Sequence, residues 1–153
     1  MGGRSETETP DPLEDSLEVS QVTGEQVNEH WERFAPMIQR ALNQGQGDGL
    51  PADELRPDLV SGTRQLWAIH NQEEIRAIAV ITASEQVNIG CKIEVTTLTG
   101  EGIDEWIHVL VDRLLELKEI MGAHCIEASC RPGLGRYMKK LGWRHKATIM
   151  ELI

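Results

Sequence analysis

At 153 residues, 40% hydrophobic and 26% charged, the chain is long enough to bury one core and is composed like an ordinary globular domain. A net charge of −10 at pH 7 argues against nucleic acid as a partner, and no apolar run reaches the roughly 18–20 residues that span a bilayer. The N-terminus lacks the apolar centre of a signal peptide, so the expected location is the cytoplasm.

Residues 1–16 (MGGRSETETPDPLEDS) hold five acids, one arginine, two prolines and almost nothing to bury. Such a segment cannot offset its own ordering entropy, so it is read as a flexible acidic arm ahead of one domain over residues 17–153. LEVSQVT alternates and predicts a first strand. GEQVNEHWERFAPMIQRALNQG then places Val27, Trp31, Phe34, Ile38, Ala41 and Leu42 on one helical face, with Pro36 expected to kink or split it. QGQGDGLP is a loop and ADELRPDLVSG a second short helix or turn.

RQLWAIHNQEEIRAIAVITAS reads as a hairpin: a strand through Leu66 and Ile69, a polar turn at NQEE, and a strand through Val80. GCKIEVTTLTG supplies a further strand, rich in β-branched residues. From Ile103 the set Trp106, Ile107, Leu110, Val111, Leu114, Leu117 and Ile120 keeps a helical period, and Gly122 is the expected residue just past the helix end. AHCIEASC alternates as a buried strand. That reading is favoured over a metal cluster of His124, Cys125 and Cys130, and it leaves Cys91, Cys125 and Cys130 as free thiols. RPGLGRYMKKLG is a short helix opened by Pro132, and RHKATIMELI a final strand. The predicted class is α/β of the α+β kind, in the order β-α-α-β-β-β-α-β-α-β.

Charge is segregated along this order. Arg131, Arg136, Lys139, Lys140, Arg144 and Lys146 fall within sixteen residues that contain no acid, leaving nine bases against 25 acids elsewhere. One end is a basic patch on an acidic body.

Two short motifs sit on this framework. LTGEGIDEWI puts Gly100 and Gly102 between a strand and the long helix, and YMKKLGW ends the short helix in a glycine and an aromatic. With the element order, they make residues 18–153 resemble the GNAT superfamily of acyl-CoA-dependent N-acetyltransferases. The resemblance implies a mixed, mostly antiparallel sheet flanked by helices and opened between its fourth and fifth strands to admit acyl-CoA. It implies that N–H groups at the following helix start hold the pyrophosphate, that fourth-strand N–H groups polarise the thioester, and that a carboxylate and a tyrosine serve as base and acid. The arm and the compact N-terminal half are also similar to small GNAT-like proteins of tailed phages.

On those terms Glu94 matches the base and Tyr137 the acid, while Val95, Thr97, Gly100, Gly102 and Arg131 match positions that hold the cofactor. Three departures stand against this. Thr97 occupies the place of an Arg or Gln. Asp104 and Glu105 open the helix, where they suit the helix dipole but repel a phosphate. At ~6 Å and an effective dielectric near 20, each such charge pair costs on the order of 3 kcal/mol before screening. Met138, not Tyr137, stands four residues before Gly142, and one residue is about 100° of helix. Glu94 also fits an ordinary solvent-facing strand position.

Two functions follow. In the first, the fold is a binding or assembly module with a degenerate acyl-CoA site and no cofactor, such as a phage head or tail component, contacting other subunits through the arm and the basic patch. The alternative is an active N-acetyltransferase that uses acetyl-CoA on a small-molecule or protein amine. A third reading, an acidic mimic of nucleic acid, is opposed by the basic patch.

Overall fold

The computed structural model describes residues 16–44, 50–72, 74–129, 132–146 and 152. Its chain runs β1 (Glu18–Val22), α1 (Gly24–Glu29), α2 (Trp31–Asn43), α3 (Ala52–Ser61), β2 (Gln65–His70), β3 (Ile75–Gln86), β4 (Gly90–Gly100), α4 (Ile103–Met121), β5 (Cys125–Ala128) and α5 (Pro132–Lys140). Residues 1–15 of the expected arm and residues 147–151 of the expected last strand lie outside the described residues, as do Cys130 and Arg131.

Thr23 starts α1 with a reciprocal cap: its hydroxyl accepts from the Gln26 N–H, and the Gln26 carboxamide oxygen accepts from the Thr23 N–H. The helix breaks at His30, not at Pro36 as the sequence suggests. His30 leaves helical geometry (φ −117°, ψ 27°), its N–H closing α1 on Gln26 and its carbonyl accepting from Arg33 and Phe34. Pro36 is tolerated because the carbonyl it leaves unpaired belongs to Glu32, in the exposed first turn of α2. Pro57 does the same in α3 with Asp53.

The five strands lie in the order β1-β2-β3-β4-β5, antiparallel except for the parallel β4–β5 pair. Both faces of the central strands are covered, which explains their nearly continuous apolar runs. Leu66, Ala68, Ile78 and Val80 pack with Val27, Trp31, Phe34, Ile38, Leu55 and Leu59 of α1–α3. Trp67, Ile69, Ala79, Ile81, Ile93 and Val95 pack on the other face, with Trp106, Leu110 and Leu114 of α4 and Leu134 and Met138 of α5. Gly122 ends α4 with φ 64°, as its place in the sequence predicts.

One irregularity positions the site. Val80 pairs with Thr97 and Ile81 with Val95, so Thr96 is an extra residue in β4. The β4–β5 ladder runs from Lys92/Cys125 to Val95/Ala128 and closes with the Ser129 N–H on the Val95 carbonyl at 3.1 Å. β4 continues to Gly100 while β5 has ended, so its outer edge beyond the bulge has no strand partner among the described residues.

Candidate functional site

The end of β4 delivers Gly100, Glu101 and Gly102 to the start of α4. Each glycine has a local reason to be one. A Cβ on Gly100 would lie 2.4 Å from the Ala77 Cβ and 2.6 Å from the Arg76 carbonyl oxygen, so β3 itself demands the absence of a side chain. Gly102 holds φ 68°, a left-handed conformation that few other residues adopt without strain. The Trp106 indole N–H donates to the Glu101 carbonyl at 2.8 Å and ties the loop to the core.

Glu105 folds back over this loop: a Cβ on Gly102 would lie 2.6 Å from its Oε1. The same oxygen accepts from the Arg76 guanidinium of β3 at 2.5 Å, and Glu74 lies 3.7 Å from Arg76 Nε. Arg76 thus gathers the carboxylates of Glu74 and Glu105 beside the helix start, with Glu101 and Asp104 exposed in the same stretch. Arg76 is the member of this cluster that the sequence motif does not reveal. Its neighbour Ala77 pairs with Gly100, a proximity that only strand register creates.

The other candidates separate into two groups. Thr97 is 1% exposed, and its hydroxyl is the one buried side-chain polar atom without a partner among the described residues. Val95 is also buried, on the α4 side. Met138, at the position of the expected acid, is a core residue, and Tyr137 is half-buried against the same cluster. Glu94 lies instead on a polar strip across β4 and β5. It is level with Glu127, and Lys92 bridges them with its Nζ 3.2 Å from Glu127 and 3.9 Å from Glu94. Lys146 bonds the other Glu127 oxygen. Thus Glu94 lies in the part of β4 that pairs with β5, the helix-start loop follows the end of the strand, and Thr97 is a buried residue between them. Among the described residues no group of three or more His, Cys, Asp and Glu can hold a metal.

No protein-family model matches the chain, and no curated protein matches its sequence. Solved structures match its shape. It superposes with a TM-score of 0.67 on a ribosomal-protein-alanine N-acetyltransferase from Brucella melitensis biovar Abortus, at 12% identity over 90% of this chain and 99% of that one. An aminoglycoside acetyltransferase from an uncultured soil metagenomic sample gives 0.66 at 20% identity, covering 90% and 98%. A predicted acetyltransferase from Clostridium acetobutylicum, solved with acetyl-CoA, gives 0.67 at 16%, covering 90% and 96%. The chain has the GNAT fold.

For a GNAT fold the bulged β4 with its unpartnered outer edge is the expected slot, and the α4 start is the expected anion end. N–H groups at a helix start suit a pyrophosphate; here the Arg76–Glu105 pair lies beside Gly102, which stays exposed, and Thr97 is buried. No helix of the described residues is long and apolar enough to cross a membrane.

Proposed function

We propose that this chain is a GNAT-fold binding or assembly module whose acyl-CoA socket is filled by its own carboxylates, of the kind a phage head or tail uses as a subunit. The observation that carries this reading is Glu105 lying over Gly102 and held by Arg76. The Glu105 carboxylate, already at the helix start, supplies the negative charge that the unpaired N–H groups and the dipole favour. A diphosphate would have to displace it and would still face Glu101 and Asp104. The close fit of Gly100 against Ala77 supports the same view, since it explains the glycine without a ligand. Arg136, Lys139, Lys140 and Arg144 are exposed and have no acidic partner among the described residues. Five acids in residues 1–16 complement them in charge, so the arm of one copy docking on the basic patch of another is the contact this reading favours.

Calorimetry with acetyl-CoA tests the proposal. The expected result is no saturable heat at micromolar concentrations; a micromolar Kd overturns it.

One observation favours the alternative, acetyl transfer to an amine. Glu94 and Glu127 stand level on adjacent paired strands, two carboxylates of the kind a cationic acceptor would seek, with Lys92 already between them. The matched structures named as acetyltransferases are consistent with it. On this reading, acetyl-CoA turnover with a polyamine acceptor is detectable and Glu94→Gln abolishes it.

A further inference from the structure

At the other edge of the sheet, a cleft of about 360 Å³ opens between β1–β2 and the junction of α1 with α2. Among its described lining residues Glu74 alone also enters the surroundings of the α4 start. Its apolar floor is Val22, Phe34 and Ala68, all buried. Its polar wall is Ser20 and His70 from the strands and Gln26, His30 and Arg33 from the helices, with Glu74 the one acid lining it among the described residues.

The hydrogen bonds determine what these groups present. His70 Nδ1 lies 3.3 Å from the Asn71 carbonyl oxygen, which can only accept, so Nδ1 carries the proton. The Ser20 hydroxyl lies 2.8 Å from His70 Nε2, so the ring is held on both sides. The Gln26 carboxamide oxygen is engaged by the Thr23 N–H, which orients its NH2 group as a free donor. Arg33 has no ion-pair partner among the described residues, whereas Arg64, Arg76, Lys92, Arg113 and Lys146 each have one. Glu74 does not fill this role, because its carboxylate is directed to Arg76. His30 adds a ring at the helix junction.

We infer that this cleft is a binding site for a small organic anion, its carboxylate or phosphate head held by Arg33 and the Gln26 NH2 and its short apolar part lying on Phe34 and Ala68. A guanidinium presents a planar fork of donors that matches either head group. An apolar floor with a few convergent polar groups is the usual composition of a ligand pocket, and the volume suits a ligand of small-metabolite size.

The test is an NMR titration of the full chain with butyrate, with inorganic phosphate and, as the uncharged control, with butanol. Saturable shifts of the Ser20, His30 and His70 resonances are expected with an anion and not with butanol. Response to butyrate alone identifies a carboxylate ligand, and response to phosphate a phosphorylated one. Arg33→Gln should weaken that binding at least tenfold, while Arg136→Gln, on the far basic patch, leaves it unchanged. Because Arg33 is exposed, the Arg33→Gln protein should melt with the wild type, which is checked alongside. Absence of saturation with both anions overturns the assignment, as does equal affinity in Arg33→Gln. Neither result bears on acetyl-CoA binding at α4.

Discussion

Thr97 illustrates how a candidate ligand changes meaning once it is placed. Its hydroxyl is buried without a partner, and an unsatisfied buried polar group costs about 1–3 kcal/mol. Thr97→Val keeps the shape and removes that cost, so it should raise stability by roughly 1 kcal/mol in urea unfolding; a loss of stability would show that the hydroxyl has a partner in solution. Gly100 gives the opposite expectation. Gly100→Ala drives a methyl to within 2.4 Å of Ala77 and should lower stability by about 1–3 kcal/mol, whatever it does to a ligand. At the other end of the loop, Glu105→Gln loses an ion pair whose Glu105 side chain is more than half exposed. Its effect on stability should stay within about 1 kcal/mol, while any affinity for acetyl-CoA measured by calorimetry should rise.

At the scale of elements, the helices depend on their ends and on one face each. Thr23→Ala removes half of a reciprocal cap and should cost about 1 kcal/mol, read as a lower urea midpoint with unchanged slope. Leu110 in the centre of α4 is 1% exposed, and Leu110→Ala should cost about 2–5 kcal/mol through the cavity it leaves. Much of this level is legible in the sequence. GCKIEVTTLTG is β4 from end to end, and Gly122 marks the end of α4. The break between α1 and α2 is not. Pro36 draws attention because its chemistry is conspicuous, but the cost of a proline depends on which carbonyl it leaves free, and here that carbonyl faces water. His30 carries no local signal of a break. Gly24 is a further hidden constraint, since a Cβ there would lie 2.0 Å from the Val60 carbonyl oxygen of α3.

Across the whole molecule, two apolar layers cover one sheet, and its charge is divided between an acidic body and a basic C-terminal patch. If the arm serves assembly, deleting residues 1–16 should reduce self-association in sedimentation experiments while moving Tm by no more than about 2 °C, because the segment offers almost nothing to the core. A monomeric full-length chain that is indifferent to the deletion would remove that role.

Apolar periodicity and glycine placement, being local signals, made most strands and helices and the end of α4 legible along the chain, while the GNAT fold was legible as a resemblance carried by two motifs and the element order; the last expected strand lies largely outside the described residues. The sequence also showed the acids at the start of α4. Only the tertiary structure decided what those acids do. Arg76 reaches Glu105 because β3 pairs with β4 in one register, and Ser20 meets His70 because residues fifty positions apart lie on adjacent strands. Such contacts depend on how strands align in space, and no spacing along the chain encodes that alignment directly.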